Sequence, residues 1–144
     1  MEDAAKPAVP AWFWIVAVLA LLWEGMGCFS YLAQTGMMGA KLGEMPAEQA
    51  EVWRATPVWV WCAFAVAVWV GLAGAVLLLL RHRLARAAFA VSLLAAILQF
   101  GWAYTAGGAA RTGAGGAVLP ICIIAAGAFL VWFAGHGIRR GWLR

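Results

Sequence analysis

Four continuous apolar runs constrain this chain most: about residues 11–33, 58–80, 87–105 and 117–137. Each approaches the ~20 residues that carry an α-helix across a hydrocarbon core. A transmembrane barrel would show apolar–polar alternation in pieces of about ten residues. Here the runs are unbroken and rich in Ala and Leu. With 66% of its 144 residues hydrophobic and 11% charged, a water-soluble domain would have to expose much of that surface. Lipid is the simpler solvent. The expected fold class is all-α: a polytopic membrane protein of one domain, 1–144, with four transmembrane helices in a compact bundle.

The N-terminus does not read as a signal peptide. Glu2 and Asp3 replace a basic leader and no small-residue cleavage site follows, so the first run is expected to be retained. Four spans place both termini on one side. That side collects seven basic residues: Lys6, Arg81, Arg83, Arg86, Arg139, Arg140 and Arg144. The other side has Lys41, Arg54 and Arg111, offset by Glu44, Glu48 and Glu51. The positive-inside rule then puts the termini in the cytoplasm and the long loop outside. The net charge of +4 therefore orients the protein and meets anionic headgroups; it is not a nucleic-acid footprint.

One residue breaks the apolar pattern. Glu24 lies well inside the first run, AWFWIVAVLALLWEGMGCFSY. A charged side chain at that depth costs about 2.5–3.5 kcal/mol on insertion scales, against about 0.3–0.6 kcal/mol returned by each Leu or Phe. Such a residue is a candidate functional centre. On a helical wheel it shares a face with Ala17, Ala20, Gly27, Cys28, Tyr31 and Gln34, whereas Leu19, Leu22, Met26 and Phe29 lie opposite. The small and polar face should meet helices and the bulky face lipid.

The second span begins at Thr56-Pro57 and repeats Ala63, Ala67, Gly71 and Ala75 every four residues, a seam that admits a close helix crossing. RHRLAR at 81–86 is a tight basic turn, so spans two and three form a hairpin. The third span aligns Ala88, Ser92, Ala95, Ala96, Gln99, Trp102 and Ala103, with Phe89, Ile97, Phe100 and Tyr104 elsewhere. Gln99 sits at a depth similar to Glu24, so the acid and amide could hydrogen-bond if those helices touch. Residues 46–54 of the outer loop read as one short helix, with Pro46 first and Glu48 in the first turn. Val52 and Trp53 would let it lie on the membrane surface or cap the bundle. Pro120 is expected in the first turn of the fourth span. The two halves echo one another as parallel-repeat hairpins, each with a polar residue at mid-depth (Glu24, Gln99), an outer Tyr (Tyr31, Tyr104) and a Pro-initiated second helix.

No metal or cofactor is expected. Cys28, Cys62 and Cys122 form no CxxC pair, and His82 and His136 are distant in sequence. The three thiols share a depth near outer-half methionines (Met26, Met37, Met38, Met45), but a helical Cys usually serves as a small hydrophobe.

The sequence resembles a family of small four-span bacterial inner-membrane proteins, often loosely labelled "sugar transporter". FWIVAVLALLWEGMG at 13–27, TPVWV at 56–60, FLVWF at 129–133 and the RRGWL tail carry the resemblance over most of the chain. It implies a bacterial inner-membrane location and a transport role, and it brings no catalytic residues.

Two functions compete. In one, the protein is a small-solute or proton-linked transporter or binding protein. Its ligand site would be built from Glu24, Gln99, Tyr31, Ser92, Cys28, Trp23 and Trp102, with Trp69 as a further wall. Four helices are few for a carrier, so a homo-oligomer would then be needed. In the other, it is a structural or accessory membrane subunit in which Glu24 only ties helices together. An enzyme is not expected, because no nucleophile–base pair, carboxylate pair or metal motif is present. The expected partners are the lipid bilayer and a small-molecule ligand, not nucleic acid.

Overall fold

The structure is a computed structural model that describes residues 7–36, 44, 46–105 and 115–144. Every regular element among the described residues is helical. α1 covers Ala11–Gly36, α2 Ala47–Ala55, α3 Val58–Leu79, α4 Leu84–Thr105 and α5 Gly115–Arg139. Helices α1, α3, α4 and α5 are long and apolar enough to cross a membrane, which makes this a multi-pass membrane protein. Lys6, Met37, Met38, Lys41, Met45 and Arg111 lie outside the described residues.

The long helices pack in chain order, α1 on α3, α3 on α4 and α4 on α5. Two hairpins are thus joined along α3 and α4. The α1 faces divide as the wheel predicts: Ala17, Ala20 and Cys28 are buried, while Leu19, Leu22, Met26 and Phe29 are exposed on the outer surface. The α3 seam is also turned inward. Ala67, Gly71 and Ala75 are buried, and the seam lies against α1 and α4.

Four sequence expectations need correction. Phe89 belongs to the core: it is fully buried beside Gly74, whose missing side chain makes room for the ring. Pro120 lies inside α5, one turn beyond its start, where its missing N–H removes a helical hydrogen bond. Pro46 caps α2 rather than opening it, with extended ψ of 138°. Lastly, α4 starts at Leu84, three residues before the expected 87, because the 81–86 turn is tighter than its six residues suggest.

That turn forms one end of an interlocked terminus. Two residues past the end of α5, Gly141 has φ of 72°, a left-handed conformation that glycine adopts without a Cβ penalty. The Trp142 and Gly141 N–H groups donate to the carbonyls of Gly137 and Ile138, a Schellman pattern that turns the chain back. α3 ends in the same pattern, with His82 N–H donating to Leu77 and Arg81 N–H to Leu78. There the left-handed residue is Arg81, φ 59°, which pays a Cβ penalty of about 1–2 kcal/mol. Contacts with the C-terminus compensate. Arg81 Nε donates to the Trp142 carbonyl at 2.8 Å, Arg144 N–H to Arg81 at 2.8 Å, and Arg83 N–H to Arg144 at 2.9 Å.

Above this lock, Phe13 stacks on Phe133 at 5.6 Å, and Trp142 meets Trp12, Phe13 and His136 edge-on. Phe13, Phe133 and Trp142 are buried. The bundle is therefore closed with aromatic rings at the end that holds both termini. At the other end α2 docks through Trp53, which meets Trp61 edge-on at 5.9 Å. Ala50 is buried in the same helix, so α2 is seated against protein rather than lying free.

Candidate functional site

Glu24 falls near the middle of α1, about 20 Å from Ala11 at ~1.5 Å per residue. On α3, Gly71 faces it. A Cβ on Gly71 would lie 2.7 Å from the Glu24 Cδ and 2.9 Å from the Ser92 Oγ. Three helices thus bring an acid, a hydroxyl and a bare backbone together. Ser92 Oγ also donates to the Ala67 carbonyl across the α3–α4 contact at 2.5 Å. That bond fixes the hydroxyl beside the acid.

Between this point and the loop end, the helices do not close on one another. A cavity of about 350 Å³ lies among all four spans. That volume is near the lower end of small-molecule pockets, which run roughly 300–1,000 Å³. Its polar groups are Glu24, Ser30 and Gln34 from α1, with Ser92 and Gln99 from α4. Its apolar wall includes Trp23, Met26, Phe64, Val68, Phe100, Leu119 and Ile123. Gln34 Nε2 donates to Ser30 Oγ at 3.0 Å, which orders the polar edge nearest the loops.

Of the residues singled out from the sequence, Glu24, Gln99, Ser92 and Trp23 line this cavity. Tyr31, Cys28 and Trp102 do not. The Cys28 thiol turns to α3 and donates to the Val68 carbonyl at 3.3 Å. Tyr31 packs edge-on against Phe64 at 5.2 Å and so supports a wall residue. Trp102 is half-buried on α4, and Trp69 is exposed on the outer face of α3. The three thiols do not converge, since Cys62 and Cys122 are exposed while Cys28 is buried. No group of metal-binding side chains occurs among the described residues.

The expected acid–amide bond is absent. Glu24 and Gln99 stand on different walls of the cavity, and neither side chain has a hydrogen-bond partner among the described residues. The reason is depth: the α4 residue level with Glu24 is Ser92, and Gln99 lies seven residues, about 10 Å, farther along the helix. Both groups consequently face open space.

Sequence reasoning missed Ser30, Phe64, Phe100 and the α5 wall of Leu119, Ile123 and Gly127. Gln34 was on the polar face but not assigned to the site. For Ser30 and Gln34 the signal existed, since both follow Glu24 toward the same end of α1. The α5 residues are ordinary apolar helix positions and carry no such mark. The chain matches no family model, no curated protein and no solved structure.

Proposed function

We propose that this protein binds a small solute inside the bilayer, in the cavity beside Glu24, and serves as a carrier or binding protein for it. One observation carries the reading: Glu24 lines a cavity instead of being sealed in side-chain contacts. A carboxyl group placed only to tie helices would be paired with a neighbouring helix, because leaving it unpaired in apolar surroundings is costly. Here the acid, two amides and two hydroxyls line one space with aromatic walls. That combination suits recognition: apolar surface for affinity and a few polar groups for orientation.

The location proposed is the bacterial inner membrane, with both termini in the cytoplasm. The arginines at the terminal end and the family resemblance support it. The cavity then opens in the outer half of the membrane. Because four spans are few for alternating access, the transporting unit is proposed to be a homo-oligomer.

Native mass spectrometry of the protein released from lipid tests this reading. The expected spectrum shows a small molecule retained by the wild type and lost from Glu24→Gln, with both folded. An empty wild-type cavity that also takes up no added solute would reject it.

A further inference from the structure

Among the described residues, the cavity wall contains one ionisable group, the Glu24 carboxyl, and no Lys, Arg or His. An anion would face the Glu24 carboxylate with no basic side chain among the described residues to offset it. A neutral solute would leave the acid without a counter-charge. A cation would find both a carboxylate and the rings of Trp23, Phe64 and Phe100, whose faces attract positive charge by about 0.5–2 kcal/mol each. Most of the remaining wall is apolar, so the cation must carry an apolar body.

The way in is also apolar. Met26 on α1 and Leu119 on α5 line the cavity, yet they are 61% and 63% exposed on the outer surface. The two helices meet through Phe13 and Phe133 near the termini, and both border the cavity farther along. The cavity therefore opens sideways between α1 and α5, where the bundle faces lipid.

We infer that the cavity takes a lipophilic amine, an apolar body bearing one cationic nitrogen, which reaches Glu24 from the bilayer through the gap between α1 and α5. The inference rests on reading the cavity as a binding site, and it names the class of ligand. The nitrogen pairs with the Glu24 carboxylate, and the apolar body fills the space bounded by Phe64, Phe100 and Ile123.

The test uses full-length protein in lipid nanodiscs, with empty nanodiscs subtracting membrane partition. The probes are 1-naphthylmethylamine, the matching neutral alcohol 1-naphthalenemethanol, and methylamine. The naphthyl amine should bind at least tenfold more tightly than the alcohol, and methylamine should not bind measurably. Glu24→Gln should abolish the tenfold preference. Met26→Trp and Leu119→Trp, both at exposed positions on the cavity mouth, should slow association several-fold. Equal binding of amine and alcohol overturns the ligand class while the cavity reading stands. Unchanged association rates in both tryptophan variants overturn the lateral route. If no naphthyl probe binds but a molecule is retained in native mass spectra, the amine class alone fails. If neither is seen, the cavity reading fails with it.

Discussion

The Glu24 carboxyl group lies against the bare Cα of Gly71, in the space that a Cβ would fill. This makes Gly71 a condition for where the acid sits. It contrasts with Gly74, one turn along the same helix, whose missing side chain admits the ring of Phe89. The two glycines look alike in sequence and should respond differently to the same substitution.

In Gly71→Ala the new methyl group meets the ends of two side chains, the carboxyl of Glu24 and the hydroxyl of Ser92. The carboxyl can turn away into the cavity, the hydroxyl can do so only by giving up its bond to the Ala67 carbonyl, and alanine gains up to about 1 kcal/mol of helix propensity over glycine. Stability should stay within about 1 kcal/mol of wild type, while solute binding falls at least fivefold. In Gly74→Ala the methyl group meets Phe89 ring carbons at 3.0 Å and Ala88 Cβ at 3.3 Å. That ring is in the core and cannot yield freely, so the variant should lose about 1–3 kcal/mol. Unfolding in mixed micelles compares the two. Equal losses would mean that the Glu24 side chain is held as rigidly as the Phe89 ring.

Ser92→Ala removes the hydroxyl that joins α4 to the Ala67 carbonyl of α3. Hydrogen bonds between membrane helices average about 0.6 kcal/mol, because the unfolded helix finds other partners in the membrane. The expected destabilisation is of that size. Solute binding should weaken as well, since the hydroxyl stands beside Glu24. A loss above about 2 kcal/mol would make this bond the principal tie between α3 and α4.

The aromatic closure near the termini predicts a larger effect. Trp142 is 8% exposed and touches Trp12, Phe13 and His136, and its carbonyl receives Arg81 Nε. Trp142→Ala keeps the carbonyl and deletes the ring contacts. Large-to-small changes of buried aromatic residues cost about 3–5 kcal/mol. Steric-trap or denaturant unfolding should show a loss in that range, with the cavity ligand still bound by the folded fraction. Wild-type stability in this variant would place the ring outside the closing cluster.

Much of the fold was legible because lipid imposes simple rules. Span length, the inward face of α1 and the α3 seam follow from apolar length and from small residues at spacings of three and four. Phe89 was set apart from the small-residue face of its span, and only its position opposite Gly74 reveals the core pocket. The site was half legible. Glu24 and Gln99 announce themselves by polarity, and Ser92 by sharing a face with Gln99. What a wheel cannot show is which helices are neighbours at a given depth. Glu24 proves level with Ser92 rather than with Gln99, so the expected acid–amide bond gives way to two separate walls of a cavity. The α5 wall was illegible for the opposite reason: Leu119 and Ile123 are typical of any membrane helix.

The proposed orientation is checked by single cysteines in a background lacking Cys28, Cys62 and Cys122. Glu48 on α2 and Arg140 after α5 are both exposed. A membrane-impermeant maleimide should label Glu48→Cys in intact spheroplasts. Arg140→Cys should be labelled only after permeabilisation. The reverse pattern would invert the protein and move the cavity to the cytoplasmic half of the membrane.

The decisive comparison is Glu24→Leu against Glu24→Gln. If the acid tied helices together, replacing it with leucine would break that tie and destabilise the bundle. The arrangement here gives the opposite expectation. The carboxyl has no hydrogen-bond partner among the described residues, and it borders open space that a leucine can partly fill. Removing an ionisable group from mid-membrane also relieves a cost of up to about 3 kcal/mol on insertion scales. Glu24→Leu should therefore be as stable as wild type or more so, and Glu24→Gln close to wild type. Both should lose solute binding, because neither presents a carboxylate to the cavity. Unfolding free energies in one detergent, measured beside ligand retention, separate the cases. A loss of more than about 1 kcal/mol in Glu24→Leu, with Glu24→Gln unaffected and still retaining ligand, would return Glu24 to a structural role and remove the basis for a binding site at this depth.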